Sequence, residues 1–146
     1  MNSQRKKYNK SICTSGSSHE LEKIRDFIEF WAIEFGFNQI DTNKIILAVD
    51  EACSNLIKYS FQDRPNNEIC IKIETKKPDF IINISDDAPP FDLTERPDLN
   101  MNEYFTKMKR GGLGIHIIKN VMDEIIYKPS NDKRFRNILQ LKKQLL

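Results

Sequence analysis

One segment constrains the fold more than any other: an amphipathic helix predicted from Asp41 to Phe61. Its apolar residues recur at helical spacing along one face, at Ile45, Val49, Ala52 and Leu56. We expect Asp41 to be the N-cap, because its carboxylate can accept from the free N–H groups of the first turn. Glu51 and Asn55 lie four residues apart, so both project from the polar side. On spacing alone, this side is typical of a solvated helix face.

Composition limits the class of protein. The chain has 146 residues, enough for one domain with a real core, and its net charge of +2 gives no reason to expect binding to nucleic acid. No apolar run approaches the roughly 20 residues of a membrane span, and no signal peptide is visible, so we expect a cytoplasmic protein. Cys13, Cys53 and Cys70 are odd in number and are expected to be reduced thiols. His19 and His116 stand alone, and no zinc site is expected.

The N-terminal part of the chain predicts a strand and a helix before the Asp41 segment. Residues 1–7 are expected to be disordered, and residues 8–13 alternate as an edge strand does. Ser17 or Ser18 can cap the helix predicted over residues 19–35, which Gly36 then ends.

The second half of the chain predicts strands around a single further helix. Strand-like runs at residues 69–73 and 80–84 flank a turn, a long polar loop covers residues 93–110, and a helix follows Gly114. Two last strands are predicted at residues 124–127 and 138–141. We therefore expect a single α+β domain over residues 1–146, a two-layer sandwich with helices on one face of a mixed, largely antiparallel sheet.

Gly111 to Gly114 form a glycine-rich turn that enters a helix, with Arg110 beside it. Free N–H groups and the positive end of a helix suit phosphate, and an arginine can pair with phosphate oxygens. The segment is neither a P-loop nor a dinucleotide fingerprint. A tight loop-to-helix turn explains it equally well.

Three further residues could carry chemistry. Asp86 follows an apolar strand, where its carboxylate could accept from the exocyclic amine of adenine, although an Asp86-Asp87 turn is the simpler interpretation. The amide oxygen of Asn55 is a hard ligand that suits Mg²⁺, and the Glu51 carboxylate one turn away could take a proton from an attacking hydroxyl group.

Together these segments resemble the N box, G1 box and G2 box of GHKL-type ATP-binding proteins, and among these the anti-sigma-factor serine protein kinases. Glu51 to Asn55 match the family's E-A-x-x-N segment. Pro90-Phe91-Asp92 match the end of its G1 box. Gly111 to Gly114 and Met122-Asp123-Glu124 match its G2 box, and Asn137 to Leu141 resemble its final strand.

The resemblance implies a role for each matching residue. Asn55 would coordinate Mg²⁺, Glu51 would be the general base, and Asp86 would bind the adenine amine. Arg110 would meet the terminal phosphate, residues 93–110 would form a lid over ATP, and Arg25 falls where the family has a partner-contacting arginine. The residues implied in nucleotide binding are Ser54, Asn55, Asp86, Ala88, Arg110, Gly111, Gly112, Leu113, Gly114 and Ile115.

The G1 box departs from the family pattern at two positions. Glycine is usual where Ala88 stands and frequent where Pro90 stands. A left-handed backbone at Ala88 would cost about 1–2 kcal/mol. We expect the pocket to survive this change, because Asp86 and the phosphate loop are present.

The leading hypothesis is an ATP- and Mg²⁺-dependent protein serine kinase that acts as an anti-sigma factor. Its substrate would be a serine on an anti-anti-sigma antagonist of the STAS type, and it would also bind a sigma factor or an equivalent regulator. The alternative is a non-catalytic, ATP-responsive switch module in a partner-switching pathway. The resemblance also implies a homodimer, with the N-terminal strand and first helix near its interface.

Overall fold

A computed structural model describes residues 8–57, 67–88 and 114–146, and in these ranges helices pack on one face of a five-stranded sheet. The predicted α+β class is confirmed. The elements are β1 (Asn9–Ser15), a 3₁₀ turn (Ser18–Glu20), α1 (Leu21–Phe35), α2 (Gln39–Asn55), β2 (Glu68–Lys76), β3 (Asp79–Asp86), α3 (Gly114–Val121), β4 (Glu124–Pro129) and β5 (Asn137–Gln144).

The strand order is β1-β2-β3-β5-β4, and every pairing among these strands is antiparallel. β1 lies at one edge, as its alternating sequence predicts, and continues two residues beyond the predicted end. β2 and β3 form the predicted hairpin across Lys77 and Pro78. Side chains alternate along each strand, so that every second residue of β2 and β3 faces the helices and is buried.

The core lies between the sheet and α1 and α2. Isoleucines dominate the sheet side, where Ile71, Ile73, Ile82 and Ile84 are fully buried. At one end of this layer the Phe80 ring packs against the rings of Phe35 and Phe37, with centroid distances of 5.3 and 5.5 Å. None of the helices in the described ranges is both long enough and apolar enough to cross a bilayer.

The first helix ends as predicted but begins differently. Gly36 adopts a φ of 126°, a conformation that favours glycine, and a Cβ there would lie 2.9 Å from Leu145. At the other end a 3₁₀ turn separates the serines from α1, and Ser17 makes no side-chain capping hydrogen bond. The predicted serine cap of this helix is therefore wrong, because Glu20 occupies the N-cap position.

The second helix begins before its predicted first residue. Asn38 is its N-cap, and the Asn38 side-chain oxygen accepts from the backbone N–H of Asp41 at 2.7 Å. Asp41 is thus not the cap but an acidic residue of the first turn. There its charge still interacts favourably with the positive end of the helix.

The expectation of three reduced thiols is wrong for two of the cysteines. Cys13 in β1 and Cys70 in β2 form a disulfide, whereas Cys53 is free and buried. The two bonded cysteines are direct partners in the β1–β2 register. They are 57 residues apart in sequence, so only the strand pairing reveals that they meet.

Candidate functional site

The candidate site is built around Asp86, the last residue of β3, which is only 3% exposed. Its Oδ1 accepts from the side-chain nitrogen of Asn137 and from the backbone N–H of Ala88, each at 2.9 Å. The Ala88 contact is a two-residue turn closed by a carboxylate, so Asp86 does form a turn, as the simpler interpretation of its sequence predicts. The bond from Asn137 and the deep burial go beyond what a surface turn needs.

Asn137, at the start of β5, fixes this carboxylate from the neighbouring strand. Its Nδ2 also donates to the carbonyl of Ala88 at 3.0 Å, and its Oδ1 accepts from the hydroxyl of Tyr127 at 2.6 Å. Because both ends of the amide are bound, its orientation is fixed. The backbone N–H of Arg136 donates to the Asp86 carbonyl at 2.9 Å, which anchors the same corner a second time.

Asn137 is a residue of the candidate site for which the sequence pattern predicted no role. The sequence places it in the last strand, and only the β3–β5 register sets it directly opposite Asp86. A polar residue at the start of an otherwise alternating strand is the signal that was available.

The last turn of α2 supplies the other candidate groups. Asn55 is its final residue and is 4% exposed, whereas Glu51 and Ser54 are partly exposed. Cys53 lies between them, fully buried. That burial raises the pKa of the Cys53 thiol above its ordinary value of 9.0, and the charges of Asp50 and Asp86 raise it further. Cys53 of α2 and Ile84 of β3 belong to the same buried core.

Arg25 lies on α1 and forms an ion pair with Asp50 of α2, with 2.7 Å between Nη1 and Oδ1. The Arg25 side chain keeps 43% of its surface exposed. The contact ties the two helices together next to Glu51. A role for Arg25 in contacting a partner protein stays a prediction.

The turn that is predicted to bind phosphate lies only partly within the described residues. Gly114 begins α3, as predicted, and Ile118 of that helix is fully buried in the core beside α2. The predicted lid over residues 93–110 lies outside the described residues, as do Arg110, Gly111, Gly112 and Leu113. The roles of these residues and of Ile115 remain predictions.

The donor chemistry of the described residues fits an adenine nucleotide with its magnesium ion. A buried carboxylate that is held in one orientation can accept from an amine and cannot accept from a carbonyl group. An amide oxygen is a hard ligand of the kind that Mg²⁺ prefers. The described residues therefore include both a candidate adenine-recognition group, Asp86, and a candidate magnesium ligand, Asn55.

Comparison with known proteins gives a family match. The sequence profile of the histidine kinase-like ATPase domain matches residues 15–143. The chain is similar to proteins named serine-protein kinase RsbW: 30% identical over 95 residues to that of Listeria innocua serovar 6a and 22% identical over 99 residues to that of Bacillus subtilis strain 168. The first match covers 62% of this chain and 59% of the relative, and the second covers 64% and 61%. The matched region is thus less than two thirds of each relative's length.

Proposed function

The chain belongs to the histidine kinase-like ATPase domain family, and on this premise we propose that it binds ATP and transfers the terminal phosphoryl group to a serine of a partner protein. Its similarity to proteins named serine-protein kinases supports the choice of serine as the acceptor. Phosphoryl transfer needs positioning and charge neutralisation more than covalent help from the protein. A rigid site with a few well-placed polar groups can meet that need.

The observation that carries the proposal is the fixed, buried carboxylate of Asp86. Its Oδ1 already accepts from Asn137 and from the N–H of Ala88. In the proposed complex the same carboxylate also accepts from the exocyclic amine of adenine. Guanine presents a carbonyl at the equivalent position, so the site would select ATP over GTP.

Asn55 is proposed to bind the magnesium ion, and Glu51 is proposed to act as the general base. The Asn55 amide oxygen would hold Mg²⁺, which would supply the charge that neutralises the phosphates. The Glu51 carboxylate, one turn earlier on the same helix, would accept the proton of the attacking serine hydroxyl. Arg110 and the turn from Gly111 to Gly114 would bind the terminal phosphates, and residues 93–110 would close over them.

The proposed partners follow from the family resemblance. The protein acts as an anti-sigma factor: it phosphorylates an anti-anti-sigma antagonist of the STAS type and binds a sigma factor or an equivalent regulator. It works in the cytoplasm as a homodimer. Arg25, which is half exposed beside Asp50, contributes to the partner surface.

Calorimetric titration of ATP and GTP, with and without Mg²⁺, tests the binding step. Asp86→Asn should weaken ATP binding about 10- to 100-fold, because it removes a hydrogen bond to a charged group. Asp79→Asn is the matched control, since Asp79 begins the same strand at its other end. Asn55→Ala should abolish the dependence on Mg²⁺, whereas Asn43→Ala, on the exposed side of α2, should not. Equal affinity for ATP and GTP would contradict the assignment of Asp86.

Transfer of radiolabel from ATP to a purified antagonist tests the kinase step separately. Glu51→Gln should keep nucleotide affinity and lower the rate of transfer by roughly 10²–10⁴, the usual contribution of a general base. Glu29→Gln, on α1, is the matched control. Unchanged transfer by Glu51→Gln would remove Glu51 from the reaction without affecting the binding proposal.

Ala88 supports a second candidate, the non-catalytic ATP-responsive switch. Alanine stands where the family usually has glycine, yet it is 1% exposed; its backbone N–H donates to Asp86, and its carbonyl accepts from Asn137. The corner thus forms with alanine in place, so nucleotide binding can persist even if transfer does not. A partner whose affinity changes with ATP, without any phosphoserine formed, would support the switch and exclude the kinase.

A further inference from the structure

A second site lies on the sheet face opposite the helices. The side chains there alternate with the buried core residues of β1, β2, β3 and β5 and line a cavity of about 500 Å³ together with the β4–β5 loop. Cys13 and Cys70 lie in its wall, and so does Arg134 from the loop. None of these three residues belongs to the proposed nucleotide site.

The two cysteines are positioned by the backbone of the sheet. Cys13 and Cys70 are paired residues of β1 and β2, with 4.1 Å between their Cα atoms, and a disulfide joins them. They differ in access, because Cys13 is exposed and Cys70 is 7% exposed. The free cysteine, Cys53, lies on the other side of the sheet within the core.

Arg134 provides a positive charge next to both sulfur atoms. Its Nη2 lies 3.5 Å from the Sγ of Cys13 and 3.5 Å from the Sγ of Cys70. The same nitrogen donates to the carboxylate of Glu68 at 2.9 Å, which holds the guanidinium in place. A neighbouring cation favours the thiolate form of a cysteine, and the thiolate is the form that reacts.

We propose that Cys13 and Cys70 are a reversible redox-modification site for a small peroxide, with Arg134 as its positioning residue. The site needs neither nucleotide nor partner, and its assignment rests on the proposed function only for the cytoplasmic location. In a reducing cytoplasm, where the proposed function places the chain, disulfides are usually transient and redox-sensing.

The reaction balances with hydrogen peroxide as the oxidant. The exposed Cys13 thiolate attacks one peroxide oxygen, the O–O bond breaks, and the leaving hydroxide takes up a proton to form water. Cys13 is then a sulfenic acid. The Cys70 thiolate attacks the Cys13 sulfur, the S–O bond breaks and a second water leaves, so two thiols are oxidised by two electrons and one peroxide is reduced. Two molecules of a small thiol then reduce the Cys13–Cys70 disulfide to two thiols and become a disulfide themselves.

A metal site is the competing interpretation of the same residues. Ligand atoms of Cys13, Glu68 and Cys70 lie within 4.8 Å of one another, as three ligands of one ion could. The guanidinium of Arg134 opposes this, because it sits at hydrogen-bond distance from both sulfurs and from the carboxylate. Its charge repels a divalent cation and attracts thiolates, which favours the redox pair.

The test uses the full chain, which is first reduced and freed of reductant and then exposed to hydrogen peroxide. The remaining thiols are alkylated, and mass spectrometry locates the alkylated and the linked cysteines. We expect the loss of two hydrogen atoms and one link between Cys13 and Cys70, reversed by glutathione, while Cys53 stays a thiol. Cys70→Ser should stop the reaction at an oxidised Cys13. Two outcomes would overturn the proposal. In the first, both thiols stay reduced under excess peroxide. In the second, the wild type forms the Cys13–Cys70 disulfide no faster than Cys70→Ser forms a disulfide between the Cys13 residues of two chains.

Arg134 is tested through the pH profile of the oxidation rate. Arg134→Gln should move the profile to higher pH and slow the reaction about tenfold at neutral pH, because the reacting thiolate loses its neighbouring cation. Arg134→Lys should restore most of the rate, and Arg136→Gln, a matched loss of charge two residues along, should leave it unchanged. Stoichiometric binding of Zn²⁺ alone, strengthened by Arg134→Gln and protecting both thiols, would assign the residues to a metal site instead.

Discussion

At the scale of single residues, Asn137 connects the two strands and the turn that form the candidate adenine site. It donates to Asp86 and to Ala88 and accepts from Tyr127, so one amide serves three groups. The bonds to Asp86 and Ala88 are buried, and losing them is costly because a buried polar group without a partner keeps its full desolvation cost. In the proposed complex, stability and adenine recognition would therefore depend on the same side chain.

We predict that Asn137→Ala lowers the free energy of unfolding by about 1–3 kcal/mol and also weakens ATP binding. Urea denaturation and calorimetry measure the two effects. Gln140→Ala is the control, since Gln140 lies on the same strand and makes a single side-chain bond, to Asn83 at 2.8 Å. It should cost less stability and leave ATP affinity unchanged. An equal loss of affinity in both variants would show that Asn137 does not hold Asp86 for the ligand.

Cys53 gives a prediction about pH. Its thiol has a pKa above the ordinary 9.0 in the folded state because it is buried, with Asp50 and Asp86 adding to the effect. Below about pH 9 the thiol keeps its proton in both the folded and the unfolded state. Above about pH 9 only the unfolded state loses the proton. The free energy of unfolding therefore falls as pH rises, by up to about 1.4 kcal/mol per pH unit. The free energy of unfolding of Cys53→Ala should not show this decrease with rising pH. Parallel stability–pH curves from pH 7 to about pH 10 for the two proteins would contradict it.

At the scale of elements, the start of α2 shows how a cap is chosen. Both Asn38 and Asp41 are good capping residues, and the sequence alone favoured the second. In the structure Asn38 accepts from the N–H of Asp41. Which residue becomes the N-cap depends on the direction of the chain after Gly36 and Phe37. Packing of the Phe37 ring against Phe35 and Phe80 fixes that direction.

We predict that Asn38→Ala lowers the free energy of unfolding by about 1 kcal/mol, the usual cost of losing an N-cap. Asp41→Asn should cost less, about 0.3–1 kcal/mol, because it removes only a charge near the helix N-terminus. Thermal unfolding at low salt measures both. Added salt should reduce the effect of Asp41→Asn and leave that of Asn38→Ala unchanged, and a larger loss in Asp41→Asn would restore Asp41 as the cap.

The elements that periodicity defines were predictable, and the contacts between distant elements were not. Leu21, Ile24 and Ile28 of α1 are buried at the spacing that predicts a helix, and the β2–β3 hairpin follows from two apolar runs around one short turn. The partnership of Asn137 with Asp86 depends on the register of strands 51 residues apart. Nothing in local sequence encodes such a register, since it is set when both strands pack against the helices.

At the scale of the whole molecule, the two faces of the sheet have different chemistry. The helix side carries the apolar core and, at the ends of α2 and β3, the candidate nucleotide site. The other side carries the open cavity with Cys13, Cys70 and Arg134. The two sites are nevertheless close in the sheet, because Cys70 pairs with Ser85, the residue before Asp86.

The disulfide should also contribute to global stability, because it closes a loop between residues 57 apart and so restricts the unfolded chain. We predict that reduction lowers the free energy of unfolding by about 2–4 kcal/mol, measured by urea denaturation with and without dithiothreitol. Cys13→Ser should match the reduced wild type and show no further response to the reductant. Cys53→Ser should still respond. If reduction leaves the wild type unchanged, the unfolded chain must already hold β1 and β2 together, and the entropic account of this bond would be wrong.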